Sequence, residues 1–94
     1  MKLAFKNTQQ FQLRENIIIT EVDGEAVLLN STSGTYFGLN RMGTDILQCI
    51  NNNHDVSSIE HRLKQQYPEH KQDIDSDLPE LLNDLLAQDL IKLR

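Results

Sequence analysis

Three histidines, one cysteine and fourteen carboxylates are the side chains of this chain with reactive chemistry to offer. His54, His61 and His70 are of the type that binds zinc or carries protons. No two of them stand at i,i+4, and the lone Cys49 completes no cysteine pair, so a metal site is not expected. The three read as surface histidines. Cys49 lies in the apolar run Ile46-Leu47-Gln48-Cys49-Ile50, which predicts a buried, inert thiol; without a second cysteine it has no internal disulfide partner. The carboxylates fall at predicted helix starts and on polar faces, where capping and solvation account for them without an acid–base pair. Gly24, Gly34, Gly38 and Gly43 form no phosphate-cradling loop, and each fits a turn or a close packing contact. The expectation is a non-enzyme with no catalytic residue, no metal and no cofactor.

Charge narrows the choice of partner. Nine basic residues face fourteen acidic ones, a net charge of -5, which repels phosphate backbones and anionic lipid and favours basic partners. Residues 69–89 hold seven acids (Glu69, Asp73, Asp75, Asp77, Glu80, Asp84, Asp89) and one base, Lys71. A DNA-reading helix must neutralise phosphates, so this segment is a poor recognition helix. The N-terminus lacks the apolar core of a signal peptide, and no apolar run approaches the roughly 20 residues that span a bilayer. A soluble, cytoplasmic protein that binds neither nucleic acid nor membrane is expected.

With reactive side chains set aside, backbone remains as the chemistry on offer, and the elements decide where it is exposed. The 94 residues make one domain, 1–94. Residues 1–14 form a polar arm that is loose, adds a short strand or covers part of the sheet. Residues 15–39 predict a three-stranded antiparallel meander: Ile17–Glu21, the Asp23-Gly24 hairpin turn, Ala26–Leu29, a turn over Asn30–Gly34, then Thr35–Gly38. Residues 40–94 predict three helices and a closing Leu90-Ile91. The first helix starts at an Asn40 cap and ends at Asn51-Asn52-Asn53. The second starts at a Ser57/Glu60 capping box, buries Ile59 and Leu63, and stops before Pro68. The third covers about Asp75–Gln88; Pro79 either marks its true start near Ser76 or Asp77, or bends a helix that starts earlier. Asp75, Asp77 and Glu80 then sit near its N-terminus, where the helix dipole favours acids. The class is α+β, a meander followed by three helices, comparable to a winged helix-turn-helix.

Two features of this layout expose recognition chemistry. Ile74, Leu78, Leu81, Leu82, Leu85 and Leu86 span an arc of roughly 140° on the third helix, so either all are core or one flank lies open as a groove wall. Thr35-Tyr36-Phe37-Gly38 is a short outer strand with neither proline nor lysine to guard its edge. An unguarded edge beside a leucine-rich helix is what capture of an extended peptide as an added strand requires.

The run Leu28-Leu29-Asn30, Ser33-Gly34-Thr35-Tyr36-Phe37-Gly38-Leu39-Asn40 and Met42-Gly43-Thr44-Asp45-Ile46-Leu47 resembles the "LLN…TG-Y-LN-x-x-G-x-x-I" pattern of PqqD-like proteins. Ile59, Leu63, Tyr67, the Asp77…Leu86 helix and Leu90-Ile91 fit the same pattern, so the resemblance covers residues 15–92. Leu47 stands where the family often has an aromatic, and Asp89 where it has a glycine. The family is that of the precursor peptide recognition elements of ribosomally made natural products (RiPPs). The resemblance implies three strands followed by three helices. It also implies a leader peptide added to the third strand and packed on the third helix, and presentation of that leader to a modifying enzyme or leader peptidase. Carried over, the peptide-binding residues are Thr35, Tyr36, Phe37, Gly38, Leu78, Leu81, Leu82 and Leu85. The acids of the third helix would steer basic residues of the leader. The implied partners are a precursor leader peptide and an enzyme of its pathway, with the chain a monomer or weak homodimer. The rival readings are a winged-helix regulator touching DNA by another surface, and a structural homodimer formed through the same edge.

Overall fold

The computed structural model describes residues 4–94. Five strands and three helices follow in the order β1 (Phe11–Leu13), β2 (Ile17–Val22), β3 (Glu25–Asn30), β4 (Tyr36–Gly38), α1 (Arg41–Asn51), α2 (Val56–Gln66), α3 (Lys71–Ala87) and β5 (Ile91–Leu93), with one turn of 3-10 helix at Pro68–His70. The predicted meander is present as an antiparallel sheet in the order β2-β3-β4. Its first turn carries Asp23 and Gly24 at φ of 53° and 80°, the positive angles that a tight hairpin demands and that glycine adopts without strain.

The sheet turns one face to the helices. Ala26, Leu28 and Asn30 alternate inward and are buried, as the period of two requires. Ala26 and Leu28 belong to one core with Ile46, Leu47 and Ile50 of α1, Ile59 and Leu63 of α2, and Ile74, Leu78, Leu82 and Leu85 of α3. The opposite face carries Ile18, Val22 and Tyr36, which remain exposed, so no described residue covers the apolar outer face of β2. One buried hydroxyl joins the two halves: Thr44 Oγ1 accepts from the Ala26 amide at 2.9 Å and donates to the Asn40 carbonyl at 2.8 Å.

The arm adds a strand, but not to the meander. β1 pairs antiparallel with β5, Phe11 opposite Leu93 and Leu13 opposite Ile91. Leu90 and Ile91 therefore close the fold against the arm, not against the three-stranded sheet. Phe11 is fully buried, and the ring of Phe5 meets it edge-on at 5.2 Å between centroids.

The start of α2 differs from expectation, and that of α3 falls on one of its two alternatives. The cap of α2 is Asp55, whose Oδ1 accepts from the Ser58 amide at 2.8 Å; Ser57 lies inside the helix, and Glu60 pairs with Lys64 instead of reaching back. The amides of Val56 and Ser57 donate to the Gln9 and Asn7 carbonyls of the arm, so tertiary contacts satisfy the first turn and move the start two residues upstream. α3 starts at Lys71, upstream of the expected Asp75, so of the two alternatives for Pro79 the earlier start holds and the proline stands inside the helix. Of the acids expected at its N-terminus, none lies in the first turn; Asp73 does. Asp77 and Glu80 are too far along for the dipole, which acts within one turn of the end, to explain them.

Candidate functional site

β4 is an edge strand. Asn30 donates its amide to the Thr35 carbonyl and Leu39 donates to the Ala26 carbonyl, which sets the alternation of the β3–β4 ladder. Thr35, Phe37 and Leu39 thus spend their ladder groups on β3, and the N–H and C=O of Tyr36 and Gly38 point away from the sheet. No other strand flanks β4 among the described residues. The strand is held in place from both ends. Before it, Asn30 Oδ1 accepts from Asn16 Nδ2 at 2.8 Å and from the Thr32 and Ser33 amides at 3.0 and 3.2 Å, fixing the turn that Gly34 completes at φ 76°. After it, Asn40 caps α1 by accepting from the Gly43 amide at 2.8 Å. Gly43 is needed there, because an added Cβ would lie 3.2–3.3 Å from Leu39 and the Asn40 cap oxygen.

Beside this edge runs a cleft of about 490 Å³, lined by Phe37, Gly38, Leu39 and Asn40, by Met42, Gly43 and Ile46 of α1, and by Asp77, Glu80, Leu81 and Asp84 of α3. One flank of the α3 arc does lie open: Leu81 looks into the cleft, half-buried, with acids next to it around the helix. The arrangement offers two outward amides, two outward carbonyls, an apolar floor and one wall of carboxylates.

The expected site residues divide. Phe37, Gly38 and Leu81 come together in the cleft. Tyr36 contributes backbone to the edge while its side chain, 72% exposed, stands on the outer face of the sheet. Thr35 is exposed in the turn, its hydroxyl 2.7 Å from that of Ser33. Leu78, Leu82 and Leu85 are core residues, not wall residues. All three are buried, and Leu78 and Leu82 face Phe5 and Val56 across a separate crevice. The reason is angular: Ile74, Leu78, Leu82 and Leu85 occupy the middle of the arc, and only its margins clear the core. The sequence reading did not single out Leu39 and Met42, and it gave Asp77, Glu80 and Asp84 only among the acids that would steer a basic leader, not as lining residues. The i,i+3,i+7 spacing of the three acids, one flank around from Leu81, was the available clue.

Groups with displaced titration serve structure. Burial pushes the Cys49 thiol up, in keeping with an inert core cysteine. Lys64 donates to Glu60 at 2.8 Å and to Asp75 at 2.5 Å, which raises the lysine and lowers Asp75. Tyr67 donates to Asp45, tying the end of α2 to α1, and its hydroxyl is raised by that bond. His54 and His61 share a shallow recess with Ser57, Ser58 and Arg62, and no group of three or more His, Cys, Asp or Glu among the described residues is arranged to hold a metal ion. No helix among them is long and apolar enough to cross a membrane.

A small α+β domain with an open strand edge facing an amphipathic helix is the class of protein defined so far. The chain belongs to the PqqD family: residues 25–91 match Coenzyme PQQ synthesis protein D (PqqD). Among solved structures, TbiB1 in complex with the TbiA(beta) leader peptide is similar at a TM-score of 0.78 and 25% identity, over 86% of this chain and 94% of that one. Lasso peptide synthetase B1 complexed with the leader peptide shares the fold at a TM-score of 0.71 and 24% identity, over 88% of this chain and 98% of that one. No curated protein sequence matches the chain.

Proposed function

We propose that this chain binds the leader segment of a ribosomally made precursor peptide as a fourth strand on β4, without catalysing a reaction, and presents it to a modifying enzyme or leader peptidase. The observation that carries this reading is the outward backbone of Tyr36 and Gly38 beside a cleft whose apolar contacts come from Phe37, Leu39, Met42 and Leu81. Backbone pairing supplies affinity in any sequence, and the cleft selects the side chains that alternate toward α3. The two similar structures, both with leader peptides, support the same reading. An interface of around 1,000–1,500 Å² follows from one short strand plus a cleft wall, at the low end for specific complexes.

Gly38 provides a clean test. An added Cβ there meets no described residue within 4 Å, and its amide points outward, so Gly38→Pro removes one outward donor and is expected to keep the fold, checked by circular dichroism. Gly38→Ala keeps the donor. With peptides selected on the native chain from a displayed random library, calorimetry is expected to show Gly38→Pro weaker by about tenfold or more and Gly38→Ala within about twofold. Equal binding by native chain and Gly38→Pro, with unchanged circular dichroism, would sink strand addition at β4.

A further inference from the structure

We infer, building on the strand-addition reading above, that the cleft selects a peptide carrying a lysine or arginine two residues from an apolar anchor, the basic side chain meeting Asp77, Glu80 and Asp84. Three observations carry this. First, the three carboxylates line one wall of the cleft, and no lysine, arginine or histidine among the described residues lines it. Second, these acids have no partner among the described residues. Asp73 is paired with His70 at 3.3 Å and Asp75 with Lys64 at 2.5 Å, whereas Asp77, Glu80 and Asp84 make no ion pair or side-chain hydrogen bond among the described residues. They are exposed and distant from the helix start, so neither capping nor the dipole explains them. Third, Glu80 and Asp84 stand at i,i+4, where like charges repel, so an arriving cation removes a repulsion as well as forming a pair.

The spacing follows from the sheet. Directly opposed residues of neighbouring strands share a face, so the visiting residue opposite Phe37 points to the helices, as do those two positions before and after it. Phe37 and Leu81 receive the first as an apolar anchor. The next inward-pointing residue in one direction reaches the acidic wall. Residues between them point to the outer face beside Tyr36 and are not selected.

The probe is a phage-displayed library of short random peptides, panned on the native chain and on two neutralised variants. Asp77→Asn, Glu80→Gln and Asp84→Asn together remove the wall; Glu21→Gln, Glu25→Gln and Glu69→Gln remove equal charge elsewhere. All six side chains are exposed, so both variants are expected to keep the fold, checked by circular dichroism. Pools from the native chain and the control variant should be enriched in an apolar residue followed or preceded at two positions by Lys or Arg. The wall variant's pool should keep the apolar residue and lose the base. A synthetic peptide from the native pool should bind the wall variant about tenfold more weakly and the control within about twofold. A native pool without basic enrichment, or enrichment that survives loss of the wall, overturns the inference. Selected peptides that need the wall yet bind Gly38→Pro unchanged overturn the strand pairing and the two-residue spacing with it. Peptides that need the Gly38 amide and ignore the wall overturn the charge selection alone.

Discussion

Leu81 and Leu82 are neighbours in sequence and opposites in role. Leu82 is fully buried among the core residues of α1 and α2, while Leu81 is half-buried at the cleft. Truncating a buried leucine removes its transfer energy and leaves a cavity, so Leu82→Ala is expected to cost about 2–5 kcal/mol in urea unfolding. Leu81→Ala gives up contacts on one side only and is expected to cost about 1 kcal/mol or less. Binding should show the reverse order: Leu81→Asp remains folded and loses selected peptides, because it places a fourth carboxylate where an apolar contact is needed. A large stability loss at Leu81 with none at Leu82 would show that α3 is rotated from the orientation described. The sequence could not separate the two, since both lie within the same apolar arc and only the direction of the core distinguishes centre from margin.

At the scale of elements, α3 is the least conventional piece. It runs from Lys71 to Ala87 with Pro79 in its interior, where the missing amide leaves the carbonyl four residues before it without its helical donor. Interior proline costs a helix about 3 kcal/mol relative to alanine, partly offset because proline also restricts the unfolded chain. Pro79→Ala is therefore expected to raise stability by about 1–2 kcal/mol, read from the urea midpoint, and a loss would mean that the proline ring itself packs usefully in the crevice it shares with Phe5 and Leu82. Legibility follows the range of the deciding contacts. β2, β3 and β4 were readable because their patterns and the Asp23-Gly24 turn are local. The Asn40 cap was readable for the same reason, and Asp89 at φ 56° accepts the left-handed position where the family has glycine. The start of α2 was not, because Asp55, Ser57 and Ser58 all cap well and the choice is made by carbonyls of Asn7 and Gln9 far away in sequence. The start of α3 stayed open between two alternatives, because a proline favours the first turn in isolated helices, and the burial of Ile74 goes with the earlier start. The β1–β5 pair, three residues on each side, carries too little pattern to be recognised without its partner.

For the molecule as a whole, closure depends on residues outside the stretch that matches the family. That stretch begins at residue 25, yet Phe11 is fully buried, β1 holds β5, and the arm's carbonyls cap α2. α3 is thereby gripped from two sides: Phe5 lies against its Leu78 and Leu82 face, and β4 with α1 faces its Leu81 flank. A chain of this size has only about 5–15 kcal/mol of total stability, so the loss of one large core ring is a substantial fraction of it. Phe11→Ala is expected to cost about 3–5 kcal/mol in urea unfolding, and Phe11→Leu less, because most of the volume is kept. Phe11 does not line the cleft, so under conditions where Phe11→Ala remains folded its affinity for selected peptides should equal that of the native chain. A cost below about 1 kcal/mol would place the arm outside the cooperative core. Unchanged stability with weakened binding would place the arm in the recognition surface and require the cleft to extend beyond β4 and α3.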